Sequence, residues 1–214
     1  MLQIQLMLKR CFDFVIAGIL LLAFSPILML TAILVRWNLG SPILFRQRRP
    51  GLDGRPFELI KFRTMLDSHD RSGNVLPDEQ RLTRFGRFLR STSIDELPEL
   101  INVLRGEMSL VGPRPLLMEY LERYDAVQAR RHEARPGITG WAQVNGRNTT
   151  AWEERLRMDV WYVDNRNLWL DIQILFQTIV TVFSRKGIAA EGHATMPAFI
   201  GQEIQPRDTT DENS

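Results

Sequence analysis

The run from Phe14 to Val35, FVIAGILLLAFSPILMLTAILV, constrains this chain most: 22 residues without a charge, with Ser25-Pro26 in the middle. That length suits a bilayer crossing. It does not read as a cleaved leader, because Arg36, Trp37 and Asn38 follow where a small-residue cleavage site belongs. Lys9 and Arg10 precede the run, and Arg36 with Arg46, Arg48 and Arg49 follow it. Positive charge at both ends gives the positive-inside rule no direction. One arrangement is a crossing helix with a proline kink. Another enters the leaflet, turns near Ser25-Pro26 and leaves on the same side. Pro26 withholds a backbone donor and crowds the preceding turn, while the Ser25 hydroxyl can bond locally. Groups freed by such a turn still need partners within hydrocarbon. A buried helix of a soluble protein is a third arrangement.

Charge is nearly balanced, 27 Lys+Arg against 25 Asp+Glu, but unevenly spread. Between Arg36 and Arg63 stand seven basic residues and only two acids, Asp53 and Glu58. Arg81, Arg84, Arg87 and Arg90 then recur at three-residue intervals. Such clusters suit lipid headgroups, phosphate-bearing substrates or nucleic acid. With an apolar anchor in the same chain, phosphorylated lipid is the better-matched anion, and no nucleic-acid partner is expected. The single cysteine, Cys11, excludes an intrachain disulfide and a CxxC redox pair. His69, His132 and His193 have no zinc spacing, and no phosphate-cradling G-x-x-x-x-G-K-S/T loop occurs.

Short elements are expected beyond the apolar helix. Strands are read at 43–45 and 57–62, with turns at Pro50-Gly51 and Asp53-Gly54. Residues 67–80 read as a loop, and 82–89 as a helix facing Leu82, Phe85 and Leu89 inward. A helix is expected over 118–133, a strand over 138–144 and helices over 152–163 and 168–183. The last is interrupted by Asp171, Gln173 and Gln177, which suits a helix lying on a membrane surface or on the protein.

Ser93-Ile94-Asp95-Glu96 sets two carboxylates side by side after the arginine-rich stretch. Ser93 and Glu96 have capping-box spacing. The same acids could act as a nucleophile or acid–base pair, with Arg87, Arg90 and Arg114 neutralising phosphates that would otherwise repel an attacking carboxylate. Arg114 sits in Gly112-Pro113-Arg114-Pro115, a stiff turn that can present a guanidinium as a phosphate fork. Lys61, Arg63 and Arg147 are weaker candidates of the same kind.

Four segments carry a resemblance: FDFVIAGILLLAFSP, SPILFRQRRPGLDGRPFELIKFRTM, SIDELPELINVLRGEMSLVGPRP and RPGITGWAQVNGR. Together they resemble the bacterial sugar transferases, the small monotopic polyprenyl-phosphate phosphoglycosyl transferases, over about residues 9–183. The resemblance implies a mainly helical, mixed α/β monotopic membrane protein with interfacial helices and short strands. It implies a re-entrant helix–break–helix hairpin over 1–36 broken at Ser25-Pro26, a cytoplasmic catalytic domain over 37–190 and a tail over 191–214. It places the protein on the cytoplasmic face of the bacterial inner membrane. Asp95 and Glu96 would be the catalytic dyad and the Mg²⁺ ligands, with Lys61, Arg63, Arg90, Arg114 and Arg147 toward phosphate or substrate. The implied reaction moves a sugar 1-phosphate from a UDP-sugar to undecaprenyl phosphate through an aspartyl-phosphosugar, releasing UMP. The tail RKGIAAEGHATMPAF resembles members using UDP-N,N'-diacetylbacillosamine in protein glycosylation. Glucose, galactose or N-acetylhexosamine donors for capsule or O-antigen synthesis are the alternative, and downstream glycosyltransferases would consume the product. A non-enzymatic membrane scaffold that binds lipid or RNA is the rival class.

Overall fold

The computed structural model describes residues 2–68, 70, 72–146, 151–184, 199 and 201. Helix α1 (Leu2–Asn38) carries the apolar run, and Pro26 lies inside it. The expected break at Ser25-Pro26 does not end the helix. The Ser25 hydroxyl instead donates back to Leu22 O at 2.8 Å, a bond that occupies a carbonyl near the missing proline donor. By length and composition α1 is long and apolar enough to cross a membrane. It is about 55 Å long at ~1.5 Å per residue.

Both flanks of the run are tied to the folded body. On the N-terminal side, Lys9 Nζ donates to Asp171 Oδ2 at 2.6 Å and Arg10 to Val103 O at 2.6 Å. The buried Asp13 carboxylate accepts from Ser109 Oγ at 2.7 Å and Leu110 N at 3.1 Å. On the C-terminal side Val35 and Leu39 pack with Phe62 and Leu89. Between these anchorages Ile19, Leu22, Ile27, Met29 and Leu30 are exposed.

Strands β1 (Leu44–Pro50) and β2 (Pro56–Phe62) form an antiparallel hairpin closed by a 3₁₀ turn at Leu52–Gly54. The short helix α2 (Asp78–Arg81) precedes α3 (Arg84–Ser91). Helix α3 starts two residues later than expected because Thr83 caps it, its side chain accepting from Gly86 N. Helix α4 (Glu99–Arg105) is pinned to β2 by buried Asn102, which accepts from Ile60 N and donates to Glu58 O. Strand β3 (Ser109–Val111) pairs in parallel with β4 (Gly137–Thr139). The strand expected over 138–144 ends at Thr139; Gly140 is extended and α5 (Trp141–Asn145) follows. The helix expected over 118–133 is two 3₁₀ segments, Met118–Arg123 and Gln128–Glu133. They are separated where Asp125 Oδ1 accepts from Val127 N and Gln128 N, a local side-chain bond that competes with a continuous helix.

Helices α6 (Trp152–Asn165) and α7 (Leu168–Ser184) complete the body. Leu170, Asp171 and Ile174 of α7 are buried, while Trp169, Ile172, Phe176, Ile179 and Val180 form an exposed apolar stripe. Of the expected tail over 191–214, only Phe199 and Gly201 are described; Phe199 is buried against Tyr120 and Leu156. The remainder, with His69 and His193, lies outside the described residues.

Fully buried Asp171 couples both α1 and α6 to α7, accepting from Lys9 Nζ of α1 and from Tyr162 Oη of α6, each at 2.6 Å. Removing one member of a buried pair leaves the other uncompensated, at about 3–5 kcal/mol. Asp171→Ala is therefore expected to lower unfolding free energy by that order in chemical denaturation. A loss below about 1 kcal/mol would mean this junction does not hold α1 to the body.

Candidate active site

The dyad sits on a strained turn. Ser93 adopts a left-handed conformation (φ 55°, ψ 17°), a region that disfavours residues with a Cβ, and the 3₁₀ turn Ile94–Glu96 follows. The expected capping box does not form: the Ser93 side chain makes no cap bond. Glu96 instead reaches across to two cations. Its Oε1 accepts from Lys61 Nζ at 2.7 Å and from Arg114 Nη2 at 2.6 Å. Lys61 comes from β2, Glu96 from the segment leading into α4, and Arg114 from the turn after β3. One oxygen thus joins three parts of the fold.

That turn is aimed by close backbone packing. A Cβ on Gly112 would stand 2.2 Å from Arg135 O, and one on Gly137 only 2.1 Å from Gly112 N, so neither site admits a side chain without backbone movement. Gly112 N donates to Thr139 O and Gly137 N to Pro113 O. Behind the turn, buried Arg131 pairs with Asp159 at 2.7 Å and also donates to Arg114 O at 2.7 Å. Sequence reading missed Arg131 and Asp159. Their spacing of 28 residues carries no local signal.

Charge in the site is unevenly assigned. Burial works against ionised Glu96, but Arg114 and Lys61 outweigh it and hold its carboxyl below the usual range. Glu96 in turn raises the Arg114 guanidinium. Asp95, buried and beside Glu96, is pushed up to about 6, with Lys61, Arg90 and Arg114 opposing that rise. Its carboxylate makes no hydrogen bond or ion pair among the described residues. Glu99 is a third carboxylate that sequence reading missed. It lies one turn after Glu96, 3.0 Å from Lys61, and burial raises it to about 7. The available signal was the three-residue spacing, which on a turn or helix returns a side chain to the same face.

Of the expected phosphate-binding residues, Lys61 and Arg114 meet at Glu96. Arg90 is held by Thr64 Oγ1 at 3.0 Å, close enough for its charge to act on Asp95. Arg63 is not brought to this cluster: it is buried and donates to Ser41 O at 2.8 Å, bracing the connection between α1 and β1. Arg147 lies outside the described residues. Arg49, which sequence reading did not single out, is near enough to feel Arg114 and Glu99. Burial, and then Arg114, lower its guanidinium.

The Asp95 carboxyl in metal-free protein should titrate near pH 6 by carbon-detected NMR. Lys61→Met removes a nearby cation that favours its charged form, so the midpoint should rise. A midpoint that stays put, or falls, would contradict this electrostatic assignment.

Comparison with known proteins gives this geometry a family. The bacterial sugar transferase family matches residues 4–185. The chain is 55% identical over 196 residues to uncharacterized sugar transferase EpsL of Bacillus subtilis (strain 168), covering 92% of this chain and 97% of that protein. It is 41% identical over 190 residues to UDP-glucose:undecaprenyl-phosphate glucose-1-phosphate transferase of Escherichia coli (strain K12), covering 84% of this chain and 41% of that protein. A UDP-galactose-lipid carrier transferase of Erwinia amylovora is 44% identical over 197 residues, again covering 84% of this chain and 41% of the relative. The chain thus spans less than half the length of the latter two. The extent of the family match and the near full-length similarity to the Bacillus protein together make the chain a member of the bacterial sugar transferase family.

Proposed function

We propose that the chain is a phosphoglycosyl transferase that moves a sugar 1-phosphate from a UDP-sugar to undecaprenyl phosphate, with Asp95 as nucleophile. The observation that carries this reading is the contrast within the dyad. Glu96 is clamped by two cations, whereas the adjacent Asp95 carboxylate is unpaired among the described residues and flanked by Lys61, Arg90 and Arg114. In the first step an Asp95 carboxylate oxygen attacks the phosphorus that bears the sugar, and the bond to the UMP oxygen breaks. In the second, a phosphate oxygen of the acceptor attacks the same phosphorus and releases the carboxylate. Splitting the transfer lets a water-soluble donor and a membrane-bound acceptor use one site in turn. Arg114 and Arg90 reduce the repulsion between an anionic nucleophile and an anionic phosphate.

Asp95 and Glu96 offer hard oxygen donors, and among the described residues no set of three acidic, His or Cys side chains forms a metal cage. That donor set fits Mg²⁺, which keeps several waters and takes one or two carboxylates together with substrate phosphates. Bound by these two residues, the ion would neutralise charge on the donor diphosphate.

Two of the relatives, those of Escherichia coli and Erwinia amylovora, are named for glucose and galactose donors, which favours a hexose over the bacillosamine donor expected from the tail. A lipid-linked sugar of this kind begins an exopolysaccharide or capsule-type glycan, and glycosyltransferases would extend it. For the membrane, we favour re-entry from the cytoplasmic face. Both flanks of the apolar run grip the same body, so opposite-side ends would require that body to be divided by the bilayer. The exposed stripe on α7 would rest on the same membrane surface.

With Mg²⁺ and UDP-glucose, UDP-galactose, UDP-N-acetylhexosamines and UDP-N,N'-diacetylbacillosamine as a panel, the protein should release UMP and form a lipid-linked product with a hexose donor. Asp95→Asn should lower UMP release by on the order of 10³-fold or more. Retained activity in that variant would remove Asp95 as nucleophile. UMP release should fall as pH drops through about 6, because protonation there takes away the attacking carboxylate. A rate independent of pH between 5 and 8 would contradict that role. Single cysteines before and after the apolar run, in a Cys11-free background, should label from the same side; opposite-side labelling would reject re-entry.

A further inference from the structure

Arg114, which bonds Glu96, also lines a cavity walled by Leu116, Trp152 and Leu156 and edged by Arg155 and Gln143. Gln143 is the anomaly. Both its amide oxygen and its amide nitrogen are buried, and neither has a partner among the described residues. Leaving a buried donor and acceptor unmatched is costly, and native proteins rarely do so without a reason. The surroundings also fix where the amide sits. A Cβ on Gly140 would stand 2.7 Å from Gln143 Oε1 and 2.1 Å from Gly112 O, so a glycine there leaves room for the amide against the turn that aims Arg114.

We propose that this cavity takes the nucleobase of the donor, with the Gln143 amide pairing to the uracil edge. The assignment rests on the UDP-sugar reading above. A primary amide presents a donor beside an acceptor. Uracil presents the complement, an N3–H beside O4, so Oε1 would accept from N3–H while Nε2 donates to O4. The apolar walls receive the ring. Arg114 is shared between cavity and dyad, since it lines the one and bonds Glu96 in the other. Arg155 also lines the cavity, and the charge of Arg114 acts on both Arg155 and Arg49. A diphosphate bound there would meet positive charge from Arg114 and Arg155. The arrangement therefore orders a nucleotide along its length: base at Gln143, phosphates at the arginines, sugar-bearing phosphorus at Asp95.

The direct test is calorimetric UMP binding to the purified full chain in nanodiscs, for wild type, Gln143→Met and Gln143→Glu. Methionine keeps the volume but removes both polar groups, so Gln143→Met should melt at or above the wild-type temperature. It should still bind UMP about tenfold or more weakly, as expected for losing a pair of buried hydrogen bonds. Gln143→Glu, which can only accept when ionised, should weaken binding as well. N3-methyl-UMP lacks the donor that Oε1 would meet. It should bind wild type weakly and show little further loss in Gln143→Met, the signature of a coupled pair. UMP affinities within twofold across the three proteins, equal wild-type affinity for UMP and N3-methyl-UMP, or no UMP binding by wild type would each overturn the subsite. Turnover separates this from the reaction itself. Gln143-dependent UMP binding without turnover of any UDP-sugar would leave the subsite and remove the reaction. Normal turnover with an unchanged donor KM in Gln143→Met would do the reverse.

Discussion

The Glu96 carboxylate, held between Lys61 and Arg114, is the interaction on which the rest of the site depends. It joins a hairpin strand, the turn leading into α4 and the Gly112–Pro115 turn, none of which is adjacent in sequence. Clustering charges in a half-buried place is expensive, since each loses hydration that its partners only partly replace. Here the cost is limited by further bonds: Lys61 is shared with Glu99, and the backbone behind Arg114 is held by Arg131. The consequence for Asp95 is direct. With its neighbour's charge already matched by two cations, the Asp95 carboxylate has no bond among the described residues yet sits in their field.

The same cluster explains why three carboxylates can share one pocket. Glu96 stays ionised because two cations bond it directly, while Glu99 and Asp95 rise because burial and the neighbouring charge of Glu96 both oppose ionisation. Environment, more than residue type, divides the roles. A carboxylate that is mostly ionised near neutral pH but only weakly engaged is well suited to attack phosphorus, as proposed for Asp95, and a tightly paired one is suited to hold an arginine in place.

How much of this was legible in the sequence depended on whether the determinant was local. The hairpin was readable because FELIKF follows two turn signals, and α6 and α7 because their apolar periodicity is sustained. Asp95, Glu96 and Arg114 were readable as chemistry because each sits in a short, distinctive motif. Ser93 and Glu96 misled, since capping-box spacing says nothing about a lysine 35 residues upstream that competes for the same carboxylate. Arg63 looked like Lys61's companion, since positions two apart share a face of a continuing strand, but β2 ends at Phe62 and Arg63 turns to Ser41 O. Glu99, Arg131 with Asp159, and Gln143 were invisible for one reason: their importance comes from burial and distant partners. The apolar run was legible as a membrane segment. What it lacked was the observation that Lys9, Arg10 and Asp13 on one flank, and Val35 and Leu39 on the other, grip a common body.

The proposed function requires a covalent intermediate at Asp95. The most direct measurement is mass analysis of the protein after brief exposure to the preferred UDP-hexose and Mg²⁺ without undecaprenyl phosphate, followed by peptide mapping. The expected result is a hexose-phosphate adduct on Asp95 that disappears when undecaprenyl phosphate is added. An unmodified Asp95 in protein that turns over donor and acceptor normally, or an adduct on another residue, would contradict it.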